Sequence, residues 1–470
     1  MFSRLSNGDA RKAGNLSFRK ASEVRAAPAT APRVGAVEAG APLFQSSSHY
    51  VDLKVRLHQE LLDVLNLANI EKVKPEDFRL EVGVVIRELL AKQQVAINTV
   101  ERQQLVNDII DEVLGLGPIE PLLKDDTVSD ILVNTHAHVY VEKQGRLETT
   151  LVKFKDDKHL LRIIDKIVSR VGRRIDESSP LVDARLPDGS RVNAIIPPLA
   201  VDGPLLSIRK FAKIPLTLEK LIELGSITPG ISEIVSAIVR GRLNVLISGG
   251  TGTGKTTFLN AISRYISHAE RIVTIEDAAE LQLQQPHVAR LETRPPSIEG
   301  KGEIVQRDLL KNALRMRPDR IIVGEVRGGE AFDMLQAMNT GHDGSLTTIH
   351  ANTCRDAFSR LEQMIGMTGL TLPMRSMRAQ IASAIHVVLQ LHRFSDGTRR
   401  LVSLHEITGM EGDVVTMQEI FRFQQTGIDS DGKIQGFFIA TGIRPRFVDL
   451  LESRGIALPP NIFTENVPIN

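Results

Sequence analysis

Residues Gly249–Gly250–Thr251–Gly252–Thr253–Gly254–Lys255–Thr256 match the spacing G-x-x-x-x-G-K-[ST] at every fixed position. Glycine lets the backbone curl until successive N–H groups point inward at a polyphosphate. Lys255 can reach the β- and γ-phosphates, the Thr256 hydroxyl can ligate Mg²⁺, and Thr257 continues the same turn. Such a loop must join a strand to a helix. Leu243–Ser248 reads as a short buried strand, and Phe258, Leu259, Ile262, Tyr265 and Ile266 form one apolar helical face. That context separates the segment from an ordinary glycine-rich turn.

Holding a polyphosphate is not hydrolysing it. Hydrolysis also needs an oriented water, a metal, and groups that sense or neutralise the γ-phosphate. In parallel sheets these gather at the carboxyl ends of strands. One later strand ends in Glu276–Asp277. Another, Arg320–Val323, runs into Gly324–Glu325, and a third has His342 before it and His350 at its end. Glu325 can hold Mg²⁺ through water or orient the attacking water; Glu276 and Asp277 have the same geometric argument with less specificity. His350 can hydrogen-bond a γ-phosphate oxygen, or be an ordinary loop histidine. Arg185, Arg191, Arg209 and Arg327 are candidates to supply a guanidinium, although a surface salt bridge is the plainer reading of each.

The elements around these residues follow from composition and period. Residues 1–48 carry seven Lys/Arg against three Asp/Glu and few large apolar residues, which predicts a disordered basic tail. Such a tail allows peripheral contact with anionic lipid, although a solvated leader is the plainer reading. Residues 49–113 read as helical, with leucines at near-helical spacing from Leu53. Residues 114–213 mix strands with one amphipathic helix, as a smaller α+β domain. Its strands are expected at Asp130–Val133, His138–Glu142, Val192–Ile196 and Leu205–Lys210, its helix at Lys158–Val171, and a linker at Lys213–Pro215. From 214 to 470 apolar runs alternate with helices, the pattern of a parallel sheet with crossovers. Antiparallel strands follow near the end, at Arg400–Ile407, Val414–Phe423 and Gly436–Thr441.

Bulk properties narrow the function. Lys+Arg of 58 against Asp+Glu of 57 leaves net +1, and aromatics are only 4% without Trp, so no nucleic-acid partner is expected. One cysteine, Cys354, excludes an internal disulfide and a four-cysteine zinc site and suits a reducing compartment. Neither a long apolar run nor a signal-peptide core is evident, so the expected location is the cytosol.

Taken in order, the phosphate loop, RIVTIEDAAEL, RIIVGEVRGGEA and GHDGSLTTIHAN resemble the P-loop, acidic, Walker B and histidine boxes of the secretion ATPase superfamily. The upstream segments LGLGPIEPLLKDDTVSDILVN, DARLPDGSRVNAIIPP and SIRKF resemble its CpaF/TadA branch, the Flp (Tad) pilus assembly ATPases. The resemblance runs from about Gly115 to Leu391. It implies a RecA-like P-loop NTPase core behind a PAS-like N-terminal domain, with ATP and Mg²⁺ at their junction. It also implies a homohexameric motor working on pilus platform proteins at the cytoplasmic face of the inner membrane, in assembly, with retraction left open. By motif, Lys255 and Thr256 would hold phosphate and Mg²⁺, Glu276 and Glu325 would be the catalytic acids, and His350 the phosphate sensor. Arg191 and Arg209 would contact the γ-phosphate, Arg185 more weakly. The zinc module of type II secretion ATPases is missing, and type IV secretion ATPases remain the alternative.

Overall fold

The computed structural model describes residues 75–470 except 93–97, 144, 212–214, 297–300, 371, 465 and 470, together with Leu53, Arg56, Leu57, Glu60 and Leu61. The expected basic tail, most of the first leucine-spaced stretch and the core of the expected linker therefore lie outside the described residues.

Helices α1 (Pro75–Lys92) and α2 (Thr99–Val113) are the first elements described without a break. α2 starts at a reciprocal cap: Asn98 Oδ1 accepts from the Glu101 N–H, and Glu101 Oε2 accepts from the Asn98 N–H. Its last carbonyls receive Lys166, whose ammonium donates to Val113 and Gly115 at 2.8 and 2.7 Å. Lys166 belongs to α4 (Asp157–Arg170); the short α3 is Glu120–Lys124.

The first sheet is antiparallel and contains β1 (Val128–Thr135), β2 (His138–Lys143), β3 (Arg146–Thr149), β4 (Leu181–Arg185), β5 (Arg191–Ile195) and β6 (Leu205–Arg209). Its spatial order is β3-β2-β1-β6-β5-β4. Strand alternation gives it two unlike faces. Ile131, Val133, Val139, Val141, Val192 and Ile208 point to one side, under Leu160, Ile163, Ile164 and Ile167 of α4. On the other side, register aligns one charged row across five strands: Arg185, Arg191, Arg209, Asp130, Glu142.

The second sheet has ten strands, in the order β16-β15-β14-β13-β12-β7-β11-β10-β8-β9. After helices α5 (Leu218–Glu223) and α6 (Pro229–Arg240) come β7 (Val245–Gly249), α7 (Lys255–Ser263), β8 (Ile272–Glu276), β9 (Val288–Glu292) and α8 (Gln306–Ala313). Then follow β10 (Arg320–Val326), α9 (Glu330–Asn339), β11 (Leu346–Ile349), α10 (Cys354–Gly366), α11 (Met374–Ala384) and β12 (Val387–Arg393). β12, β7, β11, β10, β8 and β9 are parallel neighbours. β13 (Arg399–Glu411), β14 (Val414–Ile428), β15 (Ile434–Ala440), α12 (Phe447–Ser453) and β16 (Asn466–Ile469) complete the chain, and the strands extend the sheet antiparallel from β12. Every residue of β7, β8 and β11 is buried, as expected of parallel strands covered on both faces. Ile234, Ile238, Phe258 and Leu259 cover one face; Leu310, Met334, Leu335, Phe358 and Ile381 cover the other.

All expected strands are present. β3, β9 and β16 were not foreseen. Each ends a sheet, and an edge strand need not carry the apolar alternation that marks a half-buried one. All four β3 residues are exposed, and β9 has none fully buried.

Candidate functional site

Because β7, β8, β10 and β11 are parallel, their carboxyl ends open on one edge of the sheet. β7 delivers the glycine loop there, and α7 begins at Lys255. Gly252 and Gly254 sit at φ +70° and +89°, which only glycine adopts without strain. Thr253 Oγ1 closes the loop on the Gly250 carbonyl at 3.0 Å. Lys255 lies across it, its ammonium donating to the Gly249 and Gly250 carbonyls, both at 3.0 Å. Burial pushes the Lys255 pKa down, opposed by Glu325 and reinforced by Arg327. Thr256 and Thr257 occupy the first turn of α7, one and two residues after the lysine. That turn, with the N–H groups behind it, suits an anion.

The two glutamates differ in kind. Glu276, at the end of β8, is 3% exposed. Its Oε1 accepts from the Glu280 and Leu281 N–H groups at 2.8 and 2.9 Å, whereas Oε2 is buried without a hydrogen-bond partner. Burial raises its pKa to about 7 against those two bonds, so near neutrality it can both hold and release a proton. Glu325 lies within β10, which runs on to Val326 rather than stopping at Val323. A register shift against β11 between Val323 and Val326 marks an irregularity around Gly324–Glu325, a device that re-aims side chains. Glu325 is ion-paired with Arg327, Nη2 to Oε2 at 2.6 Å, and Arg327 reaches Asp277 at 3.3 Å.

His350 follows Ile349, which pairs with Ser248 on one side and Val326 on the other. That register sets it between the loop and the Glu325 strand end. Burial and the charge of Lys255 lower its pKa, with Glu325 opposing, so the imidazole is neutral at pH 7.

The charged row of the first sheet supplies the arginines. Arg191 Nη1 bonds Glu280 Oε1 at 2.7 Å, and Glu280 is the residue whose N–H caps Glu276. Arg185 donates to the Ala279 carbonyl at 3.0 Å and pairs with Glu292 at 3.3 Å. Arg209 bonds Asp130 in its own sheet at 3.1 Å and feels Glu280 and Glu142 at longer range. The structure thus brings Lys255, Glu276, Glu325 and His350 to one edge. It sets Arg191 on the segment behind Glu276 and leaves Arg209 with Asp130.

Sequence reasoning missed Glu280, Glu142, Arg393 and Arg399. Their only trace in the sequence is a charged residue beside a turn, which carries no signal of its own. The donor set fits a magnesium nucleotide: an N–H-lined loop, a lysine, a first-turn threonine, and a buried carboxylate oxygen without a partner. No group of three or more His, Cys, Asp or Glu among the described residues could hold a metal by itself. Mg²⁺ would therefore rest on Thr256, on Glu325 through water, and on phosphate oxygens, as it commonly does.

The family model described as type II/IV secretion system protein matches residues 112–430. The chain belongs to that family. Among its relatives, a putative conjugal transfer protein of Mycobacterium tuberculosis is 39% identical over 309 residues, covering 64% of this chain and 87% of that protein. The type IV secretion system protein VirB11 of Brucella suis is 31% identical over 317 residues, covering 61% and 88%. Among solved structures, that VirB11 ATPase in complex with sulphate is 29% identical and covers 62% of this chain and 95% of its own, with a TM-score of 0.34. The pilus retraction motor PilT with bound ADP is 19% identical, covering 64% and 80%, with a TM-score of 0.43. At these scores the family assignment rests on the sequence match.

Proposed function

We propose that this protein hydrolyses ATP as a homohexameric motor and drives assembly of a Flp (Tad) pilus from the cytoplasmic face of the inner membrane. One observation carries the enzymatic part: a buried, partly protonated Glu276 stands on the same sheet edge as the Lys255 loop, Glu325 and neutral His350. Lys255 exchanges the Gly249 and Gly250 carbonyls for phosphate oxygens. Thr256 would hold Mg²⁺, which would supply charge neutralisation. Glu276 or Glu325 takes the proton of the attacking water, and His350 reports the γ-phosphate through a hydrogen bond. Arg191 and Arg209 are assigned by motif to neutralise charge on the γ-phosphate, which requires them to leave Glu280 and Asp130.

Lys255→Ala tests this reading. It should abolish phosphate release while the fold persists; release within twofold of the unaltered protein would overturn the loop's role. The pilus assignment rests on the upstream segments DARLPDGSRVNAIIPP and SIRKF. The second reading, a type IV secretion ATPase, is favoured by the likeness to VirB11 and to a putative conjugal transfer protein. Deleting the gene separates the two: loss of surface pili supports the first, loss of conjugative or effector transfer with pili intact the second. No helix among the described residues is long and apolar enough to cross a membrane.

A further inference from the structure

The phosphate loop is braced from outside its own motif. Arg399, the first residue of β13, donates Nε–H to the Gly252 carbonyl at 2.8 Å. Its Nη2 bonds Glu142 Oε1 at 3.2 Å, and Glu142 is the last member of the charged row on the first sheet. Its Cδ lies 3.5 Å from where a Cβ on Gly254 would stand. Arg393, at the end of β12, runs alongside: Nη2 bonds the Gly145 carbonyl and stands 3.7 Å from Glu142. Arg146 completes the contact on the Asp396 carbonyl at 3.3 Å.

A loop whose N–H groups converge on a phosphate turns its carbonyls outward, and each needs a donor. Gly249 and Gly250 have Lys255, and Gly250 has Thr253 as well. Lys255 must leave them to reach a phosphate. The Gly252 carbonyl is held by Arg399 alone among the bonds seen here, and that bond can persist through the exchange. One planar guanidinium thus grips the loop with one edge and the first sheet with another, which an ammonium cannot do with the same geometry.

We infer that Arg399 is a positioning residue. It fixes the Gly252 carbonyl in the phosphate-binding conformation and, through Glu142, makes loop occupancy and the seating of the first sheet mutually dependent. By linkage, ADP binding then tightens the contact between Glu142 and Arg399, and seating the sheet tightens ADP binding. The inference rests on the nucleotide-site reading above.

The test uses the full chain, a fluorescent ADP analogue with Mg²⁺, and amide hydrogen exchange. Arg399→Gln and Arg399→Lys should each weaken ADP binding by about tenfold, the scale of a lost charge-assisted hydrogen bond. Both should raise exchange of the 251–254 amides in the nucleotide-free protein. Glu142→Gln spares the Gly252 bond; it should keep affinity within about threefold yet abolish ADP-induced protection of residues 142–146. An ordinary salt bridge between the two parts would change melting temperature but neither exchange at 251–254 nor affinity. Affinity within twofold of the unaltered protein for both Arg399 variants, with unchanged loop exchange, would overturn the inference. If the unaltered chain bound no ADP, the nucleotide reading would fall, and exchange in the nucleotide-free loop would still decide whether Arg399 braces it.

Discussion

Glu276 is the candidate residue that burial sets apart, and it makes the first prediction. With a folded-state pKa of about 7, it is half ionised near neutrality in the free protein. kcat/KM should therefore rise about tenfold per unit between pH 5.5 and 6.5 and level off above pH 7.5, since that ratio reports the free enzyme. Glu276→Gln should remove the rise along with most activity. The stability consequence has a definite sign. A carboxyl whose folded pKa is raised keeps its proton in the folded state after the unfolded chain has lost it. Stability from this group is thus complete below about pH 4.5 and declines as pH climbs to about 7. A shift from 4.5 to about 7 corresponds to about 3 kcal/mol at most. Denaturant unfolding of the wild type and Glu276→Gln at pH 5 and pH 8 checks it: the difference should move toward the variant at pH 8. Glu325 makes a contrasting prediction. Its pair with the half-exposed Arg327 contributes little to stability. Glu325→Gln should leave the melt nearly unchanged, keep ATP binding, and slow hydrolysis about a hundredfold or more, with no rescue by added Mg²⁺. Wild-type turnover in that variant would remove Glu325 from the mechanism.

At the scale of elements, the site depends on how closely β10 passes β8. Val323 pairs with Ile275, which sets Gly324 beside Glu276. A Cβ on Gly324 would lie 2.9 Å from Glu276 Cγ, tighter than side chains tolerate. Gly324→Ala should push the Glu276 carboxyl off the Glu280 and Leu281 N–H groups. We expect a loss of about 1–3 kcal/mol in stability, typical of overpacking. Hydrolysis should fall by at least tenfold, with ADP affinity retained because the loop is untouched. Equal losses in affinity and rate would show that the strand pair, and not the carboxylate alone, had moved.

At the scale of the whole molecule, the charged row and the phosphate loop belong to different sheets, linked by Glu142 through Arg399. A site shared between two sheets responds to their seating, and nucleotide bridging such a junction favours assembly by linkage. A head-to-tail contact whose rotation closes makes a ring. Light scattering with a non-hydrolysable ATP analogue should therefore give a mass near six times 51.8 kDa at micromolar protein. Monomer alone under those conditions would count against the motor.

Sequence by itself determined the parts governed by local pattern. The glycine loop, its buried strand and its amphipathic helix are all set within some twenty residues, and the parallel core followed from apolar runs alternating with helices. The strand-end positions of Glu276, Glu325 and His350 came from the same pattern. Tertiary structure alone decided what those residues experience. Glu276 looked weaker than Glu325 in sequence, yet packing against Gly324 buries it and raises its pKa, and no local spacing encodes that. Arg185, Arg191 and Arg209 fell into one row because β4, β5 and β6 pair in a particular register; Arg191 then met Glu280, 89 positions away. Arg399 lies 147 positions from the loop carbonyl it holds and 257 from Glu142. Contacts at such separations exist only once both sheets have formed, because burial and register are properties of the assembled chain and not of any stretch of it.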